Sequence, residues 1–177
     1  EETTMKCLPS TVALSAILFF AGTHSAAAQV APKDAADIVT LKAVAAFFGF
    51  GPDTCIGGQQ RFNVAVAPDG TRTAFAIPAG MVFVITGYSA GFKAGINPTQ
   101  VEGQVVSFVL SRGTEVADSL ASATFGKNGI VAGGATLNPG IAVGPGQDVC
   151  MDVIGLDEAL GLAVIGKTVQ GYFFKSK

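Results

Sequence analysis

Asp148 and Asp152 are the residues whose type and spacing most readily invite a chemical reading. Two carboxylates can share general acid and base duties, as in glycoside hydrolysis, when they stand about 5–9.5 Å apart. Around Cys150 an extended chain alternates, with Val149, Met151 and Val153 on one face and Asp148, Cys150 and Asp152 on the other. Four residues along a strand separate the two carboxylates by about 13 Å, which is too far for them to act together. Either can still pair across strands with Glu102 or Asp118, against the plainer reading of solvated carboxylates on an outer face.

Other chemistries find less support. Asp157 and Glu158, with Asp152 nearby, offer oxygen atoms to Ca²⁺, but the D-x-D-x-D-G loop that fixes such a site is missing. The glycine pairs Gly57-Gly58 and Gly133-Gly134 belong to no phosphate-cradling pattern. His24 is the one histidine, and it lies in a segment expected to be cut away. Without it a Ser-His-Asp triad cannot exist, and two cysteines alone cannot make a structural zinc site. No S-x-x-K motif follows that segment. Tyr88, Tyr172, Phe173 and Phe174 can line a ligand surface, although at strand spacing such residues more often fill cores and interfaces. The sequence therefore assigns no catalytic, cofactor-binding or metal-binding residue.

The composition sets the frame. Hydrophobic residues make up 49% of the 177 and charged ones 14%, against about 25% charged in an average soluble protein. That is not a disordered composition. A formal net charge of −2 leaves no footprint for nucleic acid or an anionic membrane. Residues 1–4 precede a plausible initiator, Met5, and are read as extraneous. Residues 5–28 have the layout of a bacterial signal peptide: Lys6, an apolar run over residues 11–22, then Ala26-Ala27-Ala28 ahead of Gln29. The run is too short to span a bilayer as a helix. Cleavage after Ala28 would deliver a secreted or periplasmic protein with no membrane span. Cys7 goes with the leader, leaving Cys55 and Cys150. In an exported chain this pair predicts one disulfide, with two buried free thiols as the alternative.

The remaining chain must position these groups, and most of it reads as strands and turns. Residues 73–88 offer two β-rich runs around Pro78-Ala79-Gly80, and Val82, Phe83, Val84 and Ile85 predict a central strand covered on both faces. Residues 34–50 are ambiguous: Asp34 can cap a helix, while Ile38-Val39-Thr40 favours an extended chain, and the middle leans to helix. A Cys55–Cys150 bond would staple this apolar segment across the outside of the domain. Phe62, Val64 and Val66 alternate as one half-buried strand, residues 89–98 read as a loop, and residues 101–111 as a strand. Residues 115–125 are rich in small side chains, and Gly126-Lys127-Asn128-Gly129 suits a hairpin. Asn138-Pro139-Gly140 and Gly144-Pro145-Gly146 read as turns, with strands over residues 162–165 and 168–175 closing the chain.

Short strands separated by Gly/Pro turns predict an all-β fold, an antiparallel β-sandwich of jelly-roll type. Residues 29–58 would form a leader and covering segment, helical or extended, over a sandwich of residues 59–177. An outer-membrane barrel is the rival. Against it stand the short strands, the absence of Trp and the ending Lys175-Ser176-Lys177. The Pro78-Ala79-Gly80 turn and the two later Pro-Gly turns resemble the turn chemistry of cupin-like jelly rolls. Metal-binding cupins use histidines, so the resemblance carries no activity here. The expected function is a non-enzymatic binding or structural and adhesive module. It would either self-associate through strands such as residues 116–125 or bind a glycan or small apolar ligand. A carboxylate-dependent hydrolase acting on carbohydrate is the alternative. No cofactor is expected, and the partner is unknown.

Overall fold

The structure, a computed structural model, describes residues 37–44, 54–55, 59–95, 98–113, 117–155 and 163–176. The leader over residues 5–28, Gly57-Gly58 and the Asp157–Glu158 pair lie outside the described residues. Among the described residues ten strands follow one another: β1 (Ile38–Lys42), β2 (Gln60–Arg61), β3 (Val64–Val66), β4 (Arg72–Ala74), β5 (Met81–Lys93), β6 (Val105–Ser111), β7 (Ser119–Thr124), β8 (Ile130–Val143), β9 (Cys150–Ile154) and β10 (Ala163–Lys175). Two antiparallel sheets face each other, ordered β4-β3-β1-β10-β5-β8 and β2-β9-β6-β7. With β3 and β4 set aside, four pairs nest: β1 with β10, β2 with β9, β5 with β8, and β6 with β7. This is the order of a jelly roll, one long hairpin folded back into two sheets.

β5 lies between β10 and β8, and its β-branched and aromatic residues suit that central place. Phe83 and Ile85 face the core, and then the register slips, so that Tyr88, Ala90 and Phe92 continue the inward row. Val84 points the other way and is still buried, but further along that face Ser89 is exposed, so β5 is covered on both faces only near its start. Between the sheets Phe92 stacks on Phe108, while Phe83 meets Phe75 and Phe173 edge to face, each at 5.2 Å.

Several local expectations give way to non-local pairing. Ile38–Lys42 is a strand, not a helix, and it sits inside the six-stranded sheet between β3 and β10. Its β-branched residues fit that role, and Leu41 is fully buried. The alternation at Phe62, Val64 and Val66 belongs to two strands in different sheets. The chain crosses over at Phe62-Asn63, where Phe62 N–H donates to the Val149 carbonyl and Asn63 N–H to that of Lys42. β4 pairs with β3 and not with β5. Residues 89–93, expected as a loop, extend β5, because small side chains there are bonded on both sides. Asn138-Pro139-Gly140 does not end a strand. Residues 137–140 bulge from β8 opposite Thr86, and pairing resumes at Ile141. Gly126-Lys127-Asn128-Gly129 does form a bonded turn, Gly129 N–H donating to the Gly126 carbonyl and Gly126 N–H to that of Ile130, but the strands it joins lie in different sheets. The last two expected strands are one, β10, with an irregularity at Ile165.

Candidate functional site

The acidic candidates are distributed, not gathered. On β9, Val149 and Met151 face the core, and Cys150 turns outward to form a disulfide with Cys55. Arg61 and Ser111 flank Cys150 on the neighbouring strands. Asp148, just before β9, accepts a charge-assisted hydrogen bond from Arg61. Asp118, just before β7, takes the Arg112 guanidinium, Nε–H donating to Oδ1 at 2.9 Å. Arg112 also donates to the Ala142 carbonyl at 3.3 Å, and the Ser111 hydroxyl to Gln59 Oε1 at 2.7 Å. Asp148 and Asp118 thus share one end of the sandwich, each holding a guanidinium of its own. The second oxygen of Asp118 is buried without a hydrogen bond.

Asp152 lies on β9 opposite Val109, its Oδ1 accepting from the Val153 N–H at 2.7 Å. Glu102 is exposed in the turn before β6, whereas Asp118 lies beyond that strand's other end. Seven residues of strand put these ends roughly 20 Å apart. Among the described residues no cluster of three or more His, Cys, Asp or Glu is placed to hold a metal ion. Of the aromatic candidates, Phe174 is half-buried. Tyr88 and Tyr172 are buried, the Tyr88 hydroxyl shares a hydrogen bond with Ser119 Oγ at 3.1 Å, and Phe173 packs against the core.

What stands out instead is one flank. β8 ends the six-stranded sheet and β7 the four-stranded one, and the two lie against each other. From Ser119 to Gln147 the only charged residue is Lys127. Gly133 allows the close approach: a Cβ there would stand 2.6 Å from the Phe108 ring and 3.0 Å from the Ala123 methyl. Beside β7, the outer face of the four-stranded sheet carries Leu120, Val105 and Ile154, each more than half exposed. Ser107 and Ser122 share a hydrogen bond between them. Beside β8, the outer face of the other sheet holds a neutral depression of about 420 Å³. Gly87 and Gly134 are part of its wall, and Thr86, Ser89, Thr136 and Thr168 line it with hydroxyls. Three of these are already engaged, Ser89 and Thr168 with each other at 2.8 Å and Thr86 with the Gln170 carbonyl.

Sequence reasoning singled out the small residues around β7 but missed β8. The signal was present, as a run of twenty residues from Asn128 to Gln147 without a charge; it was hidden by reading Asn138-Pro139-Gly140 as a break. No protein-family model matches the chain, and no curated protein is significantly similar to it.

Proposed function

We propose that this protein is a non-enzymatic structural or adhesive module that associates with further copies of itself along the β7/β8 flank, outside the cytoplasm. The observation that carries the reading is the fourteen-residue edge strand β8, which has no charged side chain and no strand bonded to its outer edge among the described residues. An edge of this kind offers a row of backbone donors and acceptors to another chain, and over residues 130–136, ahead of the bulge that carries Pro139, it has none of the lysines, prolines or bulges with which monomeric proteins blunt such edges. β7, with Leu120 exposed at its side, widens the surface. A second copy is the favoured occupant, because two neutral edges meet without charge repulsion and an antiparallel pairing is compatible with two-fold symmetry. The disulfide fits an oxidising compartment. Among the described residues no helix is long and apolar enough to cross a membrane.

The test is the mass of the oxidised protein by size exclusion with light scattering, over a range of concentration. A defined dimer or larger assembly is expected, falling to monomer when Thr136→Lys places a charge on β8. A monomer throughout the range, or an assembly indifferent to that lysine, would rule the reading out.

A further inference from the structure

We infer that the notch where β1 ends beside β10 is a binding site for a small organic carboxylate bearing a short apolar tail. It lies on the flank away from β7 and β8, so its test is separate from that of self-association.

The notch exists because β1 stops at Lys42 while β10 continues, leaving a space of about 360 Å³ closed by Gln60 from the other sheet. Its floor is Lys167. This side chain is half-buried, with its ammonium 5.4 Å from the centre of the Phe92 ring. An aromatic face attracts a cation but does not neutralise it. Among the described residues no carboxylate stands within ion-pair distance of Lys167. Asp152 attracts it only from further off, and burial lowers the Lys167 pKa against that attraction. A half-buried cation in this state gains from an incoming anion more than an exposed one does.

The rest of the lining matches that need. Lys42 stands exposed at the rim, and the Gln60 amide supplies a neutral donor, while the Thr168 hydroxyl is turned to Ser89 on the outer face. No carboxylate lines the space, and Ala43, Val44 and Val164 make its apolar side. The wall at Val44 is held in place by the Asn63 side chain. Asn63 Oδ1 accepts from the Val44 N–H at 2.9 Å, and Nδ2 donates to the Val44 carbonyl at 2.7 Å. Asn63 is itself buried, so this clamp is sheltered from water. The half-buried Lys167 ammonium, the Gln60 amide and a fixed apolar wall select a ligand with an anionic head and a tail of a few carbons.

Hexanoate, hexanol and inorganic phosphate are the probes, applied to the oxidised protein and followed by thermal melting and by the Lys167 side-chain NMR signals. Hexanoate is expected to move those signals saturably and to raise the midpoint by roughly 2–4 °C. Hexanol and phosphate should do neither. Lys167→Met should lose the response to hexanoate without melting earlier than the parent, and Lys42→Gln, at the exposed rim, should weaken binding far less. The inference falls if hexanol or phosphate matches hexanoate, or if Lys167→Met still responds. It falls equally if hexanoate leaves the Lys167 signals of the parent protein unmoved, a result that needs no variant to fold.

Discussion

On one flank the sheets end in β4 and β2, strands of three and two residues that carry Arg72 and Arg61; on the other they end in β8 and β7, of fourteen and six residues, with no charge on either. The first flank is closed by specific bonds: the Cys55–Cys150 disulfide, the Arg61–Asp148 pair and the Asn63 clamp on Val44. The second is closed by proximity, with Gly133 admitting the Phe108 ring and the Ala123 methyl. Side chains that tie a molecule to itself leave little for a partner to pair with. An edge kept shut only by close packing leaves its outer backbone available.

The largest effect should come from breaking the tied flank. The disulfide closes a loop with a sequence separation of 95, and replacing both cysteines by serine should cost about 4–5 kcal/mol in urea unfolding. If the flanks are independent, the variant should still associate under conditions where it is folded. A smaller loss, roughly 1–3 kcal/mol, is expected from Gly133→Val, because the new side chain must displace Phe108 or Ala123. That variant should also disturb association, and normal assembly would show that β7 and β8 need not stay close.

Lys167 gives a pH-dependent comparison. Its pKa is lower in the folded protein than in the unfolded chain, because burial disfavours the charged form. Between those two values the unfolded chain holds more protons, so stability rises with pH. The penalty is therefore present below the folded-state pKa and is lifted towards the ordinary lysine value of about 10.4. Melting midpoints across the alkaline range should climb for the parent relative to Lys167→Met, and parallel curves would remove the argument. Least of all for stability, Leu120→Lys should change unfolding by under about 0.5 kcal/mol while lowering the association constant by an order of magnitude or more. Equal losses of stability and of association would mean that Leu120 supports the fold and not the interface.

Much of the fold was legible because its signals are local. The alternation around Cys150, the apolar run at Val82-Phe83-Val84-Ile85 and the Gly144-Pro145-Gly146 turn all appear where the residues alone placed them. What was hidden depends on partners distant in sequence. Ile38-Val39-Thr40 becomes a strand because β3 and β10 lie on either side of it. Residues 89–93 extend β5 because glycine, alanine and serine there are held by two neighbours, not by any preference of their own. Phe62, Val64 and Val66 read as one strand because alternation does not reveal which sheet each residue joins. The Lys167 notch is formed by β1, β2 and β10, so no spacing along the chain could announce it.

The nested strand order has a consequence for how the molecule comes into being. β10, late in the chain, is not at an edge; it is the seam that joins β1, β3 and β4 to β5 and β8. A chain emerging from its N-terminus holds most of its strands before the two halves of the larger sheet can be joined. Pairings this distant in sequence are slow to find. Under the proposed location outside the cytoplasm that delay would be useful, because nothing locks before export. It also means that β5 waits with one edge unpaired until residues 163–175 arrive. Deleting Ala163–Lys175 would therefore take away the seam of the sheet and not merely its last strand.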